Sequence, residues 1–184
     1  RLCPPVRNWF MDKFPDFTEP QKVAIPRILN GEHLLLCSPT GSGKTLTAFL
    51  TIIDDLVRGS LDGTLPDSVQ CVYISPIKAL ANDIEKNLLG PLGEIKERYL
   101  PSRAKEIKVG LRTGDTPQSE RQKMLRKPPH ILITTPESLG LGLASKRFRP
   151  ILDQMKWFII DEMHSLVPTK RGTHLSLSMA LMDT

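Results

Sequence analysis

The run Ser38-Pro39-Thr40-Gly41-Ser42-Gly43-Lys44-Thr45 lies between an apolar run, Leu34-Leu35-Leu36-Cys37, and a helix-compatible run holding Leu46, Ala48, Phe49, Ile52 and Ile53. Strand, glycine-rich turn, helix is an order that lets successive backbone amides surround an anion, with the positive end of a helix behind them. Pro39, Thr40, Gly41, Ser42 and Gly43 would form the cradle. The Lys44 ammonium would reach the β- and γ-phosphates of ATP, and the Thr45 hydroxyl would hold Mg²⁺. The usual pattern opens on Gly. Ser38 stands there instead, and the functional core of the motif is intact.

A second chemical group closes the apolar run Trp157-Phe158-Ile159-Ile160 with Asp161 and Glu162. An acid at a buried strand end is costly unless it meets a metal or a donor. Beside a phosphate-binding loop the assignment is Asp161 to Mg²⁺, directly or through water, and Glu162 to the attacking water. Positioning that water matters more than basicity for so weak a base. The adjacent pair favours hydrolysis over nucleotide storage.

Five strand-like runs can position these groups: His33 to Cys37, Gln70 to Ser75, Ile107 to Arg112, His130 to Thr134, and Trp157 to Asp161. Consecutive apolar residues, rather than strict alternation, predict strands buried on both faces. Helical stretches fall between them. One opens at Pro20 or Gln21 and closes at Gly31, with Pro26 a kink or break. Others run from Lys44 to Val57, Lys78 to Leu88, Pro117 to Leu125 capped by Thr116, and Pro136 to Leu143 capped by Thr135. A shorter helix is expected over Leu92 to Tyr99, and Gly59 to Asp67 reads as a polar loop. Alternating strands and helices predict an α/β fold with a mostly parallel sheet and helices on both faces. Binding groups then collect at the carboxyl ends of the strands.

The 184 residues suit one well-buried domain. Hydrophobic content of 40% and charged content of 24% describe an ordinary soluble globule, and a net charge of +5 mildly favours an anionic partner. No apolar run approaches the roughly 18 residues of a membrane helix, so no membrane partner is expected. Cys3, Cys37 and Cys71 show no metal-ligand spacing; Cys37 and Cys71 read as buried thiols in a reducing, intracellular compartment, cytoplasmic or nuclear. The first residue is not Met, and the chain is expected to be part of a longer protein.

Several further blocks lie in order: Phe17-Thr18-Glu19-Pro20-Gln21, Ser75-Pro76-Ile77-Lys78-Ala79-Leu80-Ala81-Asn82-Asp83, Arg112-Thr113-Gly114-Asp115-Thr116, Thr134-Thr135-Pro136-Glu137, Asp161-Glu162-Met163-His164 and Lys170-Arg171-Gly172-Thr173-His174. With the phosphate loop, they resemble the first motor domain of a superfamily 2 helicase of the DExH type, most like the large helicase-related proteins. The resemblance runs from about Val6 to the end. It implies a RecA-like P-loop NTPase domain over 1–184, with the adenine-recognition segment inside 1–31.

The same resemblance implies roles. Gln21 would read adenine, since one amide offers donor and acceptor together, with Phe14 or Phe17 packed nearby. Pro76, Lys78, Arg112, Thr113, Thr135 and Pro136 would touch the nucleic-acid backbone. His164 would couple the ATP and nucleic-acid sites. These strand ends carry no obvious base reader or stacking aromatic, so tracking of a single strand with little sequence preference is expected, DNA favoured by resemblance and RNA left open. A second RecA-like domain of the same parent chain would supply arginine fingers, so hydrolysis by this stretch alone is expected to be weak. Two other readings stand beside the helicase: a P-loop kinase or other phosphotransferase, and a nucleic-acid-binding module without significant ATPase activity.

Overall fold

The structure is a computed structural model that describes residues 1–37, 39, 42–76 and 84–163. Its residues group into two compact units, one within 1–65 and 81–106 and the other within 66–80 and 107–184.

The first unit is helical. Helix α1, Pro4–Lys13, starts on two prolines, whose fixed φ suits a first turn. It buries Val6, Trp9 and Phe10, which lie on one face at helical spacing. Helix α2, Glu19–Leu29, continues through Pro26 without a break. Helix α3, Lys44–Asp62, outruns the expected end at Val57 and stops at Gly63, whose φ of +73° is open to glycine. Residues 59–62 of the expected polar loop are therefore helical. The chain then folds back, and Leu65 donates its amide to the Gly59 carbonyl at 3.0 Å. Phe49, Leu50, Ile53, Leu56 and Val57 of α3 are buried. So is Asp54, which accepts from the Cys3 backbone N–H and, at 2.7 Å, from Arg58 Nε. A π-helical turn, Glu85–Leu89, leads into α4, Gly90–Tyr99, close to the expected Leu92 to Tyr99. Trp9 Nε1 and Lys13 Nζ both donate to the Glu94 carboxylate, at 2.8 and 2.9 Å, which clasps α1 to α4.

The second unit holds a parallel sheet. Strands β1 (Cys71–Ile74), β2 (Val109–Arg112), β3 (Ile131–Thr134) and β4 (Trp157–Ile160) lie in the order β2-β3-β1-β4 among the described residues. Every residue of β1 and β3 is buried, so their apolar runs do reflect burial on both faces. Helices α5 (Gln118–Arg126) and α6 (Pro136–Leu143) connect them in sequence. Val72, Ile74 and Leu132 pack with Leu139 and Leu143 of α6 and with Phe148, Ile151 and Leu152 beyond it. None of the described helices is long and apolar enough to cross a membrane.

Two expectations fail here. His33 to Cys37 forms no strand among the described residues; Leu35 is 73% exposed and Cys37 is exposed, not buried. An apolar run becomes a strand only when a neighbour takes its amides, and the pairings present all join β1 to β4 among themselves. Thr116 does not cap α5, since Pro117 occupies the cap position and the Thr116 hydroxyl turns back to accept from the Thr113 N–H at 2.8 Å. Lys78, in the helix expected over Lys78 to Leu88, lies outside the described residues.

Gly142 is the tight point of this core. A Cβ there would sit 2.8 Å from the Phe148 ring, which is itself buried. Gly142→Ala gains about 0.5–1 kcal/mol of helix propensity but overpacks the site by about 1–3 kcal/mol. A net loss of stability, read as a lower urea midpoint at unchanged slope, is the expected result.

Candidate nucleotide and nucleic-acid site

The phosphate loop ends on Gly43, which caps α3 in the left-handed region at φ +84°. That conformation favours glycine. Gly43 O accepts from the Thr47 amide at 2.8 Å and from the Thr47 hydroxyl at 2.7 Å, which locks the first turn. Lys44 and Thr45, at the start of this helix, are half-buried, and Lys44 Nζ donates to the Pro39 carbonyl at 2.8 Å. The ammonium thus lies against its own loop. Ser42 closes a turn on Pro39, its amide 3.4 Å from that carbonyl. Thr40 and Gly41 lie outside the described residues.

Gln21 is not a surface residue; it is 2% exposed. Its Oε1 accepts from the Thr18 N–H at 3.0 Å and so caps α2. Its Nε2 presses on the loop: a Cβ on Gly43 would come within 2.8 Å of it. Thr18 adds a second tie through its hydroxyl to Ser42 O at 3.2 Å. Phe17 stacks on the buried Phe10 at 4.1 Å between ring centroids, and Phe14 packs on Phe10 at 4.8 Å. Both aromatics belong to this cluster.

In the second unit, register sets the site. Ile74 pairs with Thr134 and with Ile160, and Thr134 pairs with Arg112. Thr113, Thr135, Ser75 and Asp161 therefore follow one another across the carboxyl edge, in the order of the strands. The β4 backbone continues past its end, where the Asp161 N–H donates to Ile74 O at 2.8 Å. Asp161 and Glu162 are half-buried. The Asp161 carboxylate accepts from the Glu162 N–H at 2.9 Å through Oδ1 and from the Tyr73 hydroxyl through Oδ2. Glu162 stands at φ +51°. For a residue with a side chain the left-handed region costs about 1–2 kcal/mol, and the bond to Asp161 offsets part of that. His164 lies outside the described residues.

Of the expected backbone-contacting residues, Pro76 and Thr113 are half-buried, while Thr135 and Pro136 are buried. Thr135 caps α6 as its sequence implied: its Oγ1 accepts from the Ser138 N–H at 3.3 Å. Arg112 is only 8% exposed, and its guanidinium carbon lies 4.3 Å over the Phe148 ring centroid. Burial, reinforced by the nearby Arg121 charge, lowers its pKa from the usual arginine range. Sequence reasoning passed over Arg121. From α5 it donates to the carbonyls of Thr113, Gly114 and Thr116, at 3.1, 2.8 and 2.8 Å, and so shapes the turn after β2. No spacing signal marks such a contact; it needs the helix to fold back over the turn.

Comparison with known proteins gives the family and the fold. The family model for the DEAD/DEAH box helicase matches residues 18–184. The chain is 55% identical over 179 residues to the ATP-dependent helicase Lhr-Core of Methanothermobacter thermautotrophicus, covering 97% of this chain and 21% of that protein. It is 44% identical over 188 residues to the Lhr helicase/uracil glycosylase of Escherichia coli, covering 99% of this chain and 12% of that protein. The chain thus spans about a fifth or less of the length of these relatives. Among solved structures, Mycobacterium smegmatis helicase Lhr bound to ssDNA and AMP-PNP superposes with a TM-score of 0.86 at 44% identity, covering 100% of this chain and 23% of that one. The DEAD-box helicase Mss116 bound to ssRNA and UDP-BeF gives a TM-score of 0.78 at 22% identity, over 98% of this chain and 35% of that one, a likeness of fold.

The Thr135 cap can be tested separately from any activity. Thr135→Ala removes the acceptor for the Ser138 amide and is expected to cost about 1 kcal/mol. Thr135→Ser keeps the hydroxyl and should retain most of that, as read by chemical denaturation of the two variants side by side.

Proposed function

Because the chain belongs to the DEAD/DEAH box helicase family, we propose that it is the ATP-binding motor domain of an ATP-dependent nucleic-acid helicase or translocase. The observation that carries this reading is the pairing, in one chain, of a glycine-capped helix beginning Lys44-Thr45 with a strand followed directly by Asp161-Glu162. The first is built to hold phosphates and the second to direct their hydrolysis.

Lys44 exchanges the Pro39 carbonyl for the β- and γ-phosphates when nucleotide enters. Gln21 serves the adenine and couples base recognition to the loop it presses upon. Thr45 and Asp161 are the residues that would hold Mg²⁺. Their donor set fits: both offer oxygen, the ligand type of a hard cation. A hard cation that keeps water and phosphate ligands suits so sparse a protein contribution. Mg²⁺ supplies charge neutralisation on the phosphate oxygens when bound. Glu162 orients the attacking water, and His164 relays the state of the nucleotide to the nucleic-acid surface.

Nucleic acid is assigned to the carboxyl edge carrying Pro76, Thr113, Thr135 and Pro136, with Lys78 contributing charge. Arg112, buried and stacked on Phe148, adds positive charge to the end of β2 at this edge. Single-stranded DNA is the favoured partner, since the Mycobacterium smegmatis relative was solved with ssDNA and AMP-PNP; RNA is the alternative polymer. A second RecA-like domain of the parent chain completes the motor. An intracellular setting accords with three free cysteines.

In the full-length protein, Lys44→Ala is expected to abolish most ATP hydrolysis, and undiminished turnover at saturating ATP would remove the loop from the mechanism. Glu162→Gln keeps size and hydrogen bonding, so ATP binding should persist while turnover falls by about 100-fold or more. Normal turnover in that variant would reduce Glu162 to a strand-end carboxylate. Binding to single-stranded DNA should weaken linearly in log–log plots against salt, as phosphate contacts release counterions. Salt-independent binding would contradict the assigned edge.

A further inference from the structure

We infer that Tyr73 is a positioning residue for the metal-binding carboxylate of Asp161, an inference that rests on the reading of Asp161 given above. The argument begins with register. Tyr73 is the third residue of β1 and pairs with Ile159 of β4. Side chains alternate along a strand, so Ile159 and Asp161 share one face of the sheet. Asp161 is then the diagonal neighbour of Tyr73, two residues beyond its direct partner, within reach of a long aromatic side chain. The structure realises that contact: the Tyr73 hydroxyl donates to Asp161 Oδ2.

Burial makes the contact consequential. Tyr73 is 2% exposed and lies in a strand buried along its whole length, so its ring is held by packing. Asp161, by contrast, lies one residue past the end of β4 and is half-buried. The backbone secures its amide through Ile74 O, but the carboxylate orientation depends on two donors, the Tyr73 hydroxyl and the Glu162 N–H. The two donors take different oxygens. Together they fix both the rotation of the carboxylate and the face it presents. Each carboxylate oxygen has more than one lone pair, so this support is compatible with metal ligation. Partners of this kind, one step removed from the metal, typically change metal affinity or activity by about 10–100-fold when lost.

Tyr73→Phe removes only the hydroxyl. The full-length variant should be compared with wild type and with Asp161→Asn by titrating Mg²⁺ against two readouts: binding of a fluorescent ATP analogue and steady-state ATP turnover. The half-saturating free Mg²⁺ should rise about tenfold in Tyr73→Phe for both. Nucleotide binding without Mg²⁺ should stay unchanged, and high Mg²⁺ should recover most of the turnover. An unshifted Mg²⁺ requirement in Tyr73→Phe, with a shifted one in Asp161→Asn, would overturn the role of Tyr73 and leave Asp161 as the ligand. No shift in either variant would overturn the metal assignment of Asp161 and the Tyr73 inference with it. A lower melting temperature with no change in Mg²⁺ requirement would make the Tyr73 hydroxyl a packing contact only.

Discussion

The parallel pairing of β1 with β3 on one side and β4 on the other is the constraint on which the second unit depends. Because β1 is bonded on both edges, Ile74 fixes where Thr134 and Ile160 stand, and Thr134 in turn fixes Arg112. A slip of one residue in any of these ladders would turn each side chain to the opposite face. Tyr73 would then face away from Asp161, and the ring of Phe148 would lose Arg112. The apolar burial of β1 and β3 on both faces makes such a slip expensive. Side-chain placement at the carboxyl edge is thus specified by the buried ladders behind it.

In the first unit the corresponding constraint is conformational. Gly43 adopts a left-handed backbone geometry that costs other residues about 1–2 kcal/mol, and lies so near Gln21 that a side chain would collide. Gln21 therefore has two duties in one position, capping α2 and buttressing the phosphate loop. In its proposed role as adenine reader, a residue so placed would transmit occupancy to the loop by direct contact.

The sequence marked candidate chemistry more sharply than the architecture around it. Lys44, Thr45, Asp161 and Glu162 stood out because phosphate and metal binding restrict residue type and spacing together, and their roles are part of the proposed function. The Thr135 cap and the helix after it were readable because threonine followed by proline is a local signal. The α/β class followed from consecutive apolar residues in β1 and β3. By contrast, His33 to Cys37 carried the same apolar signal without the pairing, since a ladder depends on a partner remote in sequence. Thr116 looked like a cap but was recruited by Thr113, one turn earlier. Tyr73 and Arg121 gave no signal at all. One acts through a strand register and the other through a helix folding over a turn, and neither relation is visible before the chain is folded. Family membership bears on what motif chemistry left open: of the readings weighed, it supports the proposed helicase over a phosphotransferase.

The central claim is that ATP hydrolysis in this protein is coupled to a nucleic-acid strand lying on the carboxyl edge of the sheet. It is tested most directly by the steady-state ATPase rate of the full-length protein with and without single-stranded DNA, and with single-stranded RNA in parallel. The account predicts stimulation of at least about tenfold, the order expected when a bound ligand completes a catalytic constellation. Equal rates with and without either polynucleotide, or transfer of phosphate to a small acceptor in place of its release, would contradict it.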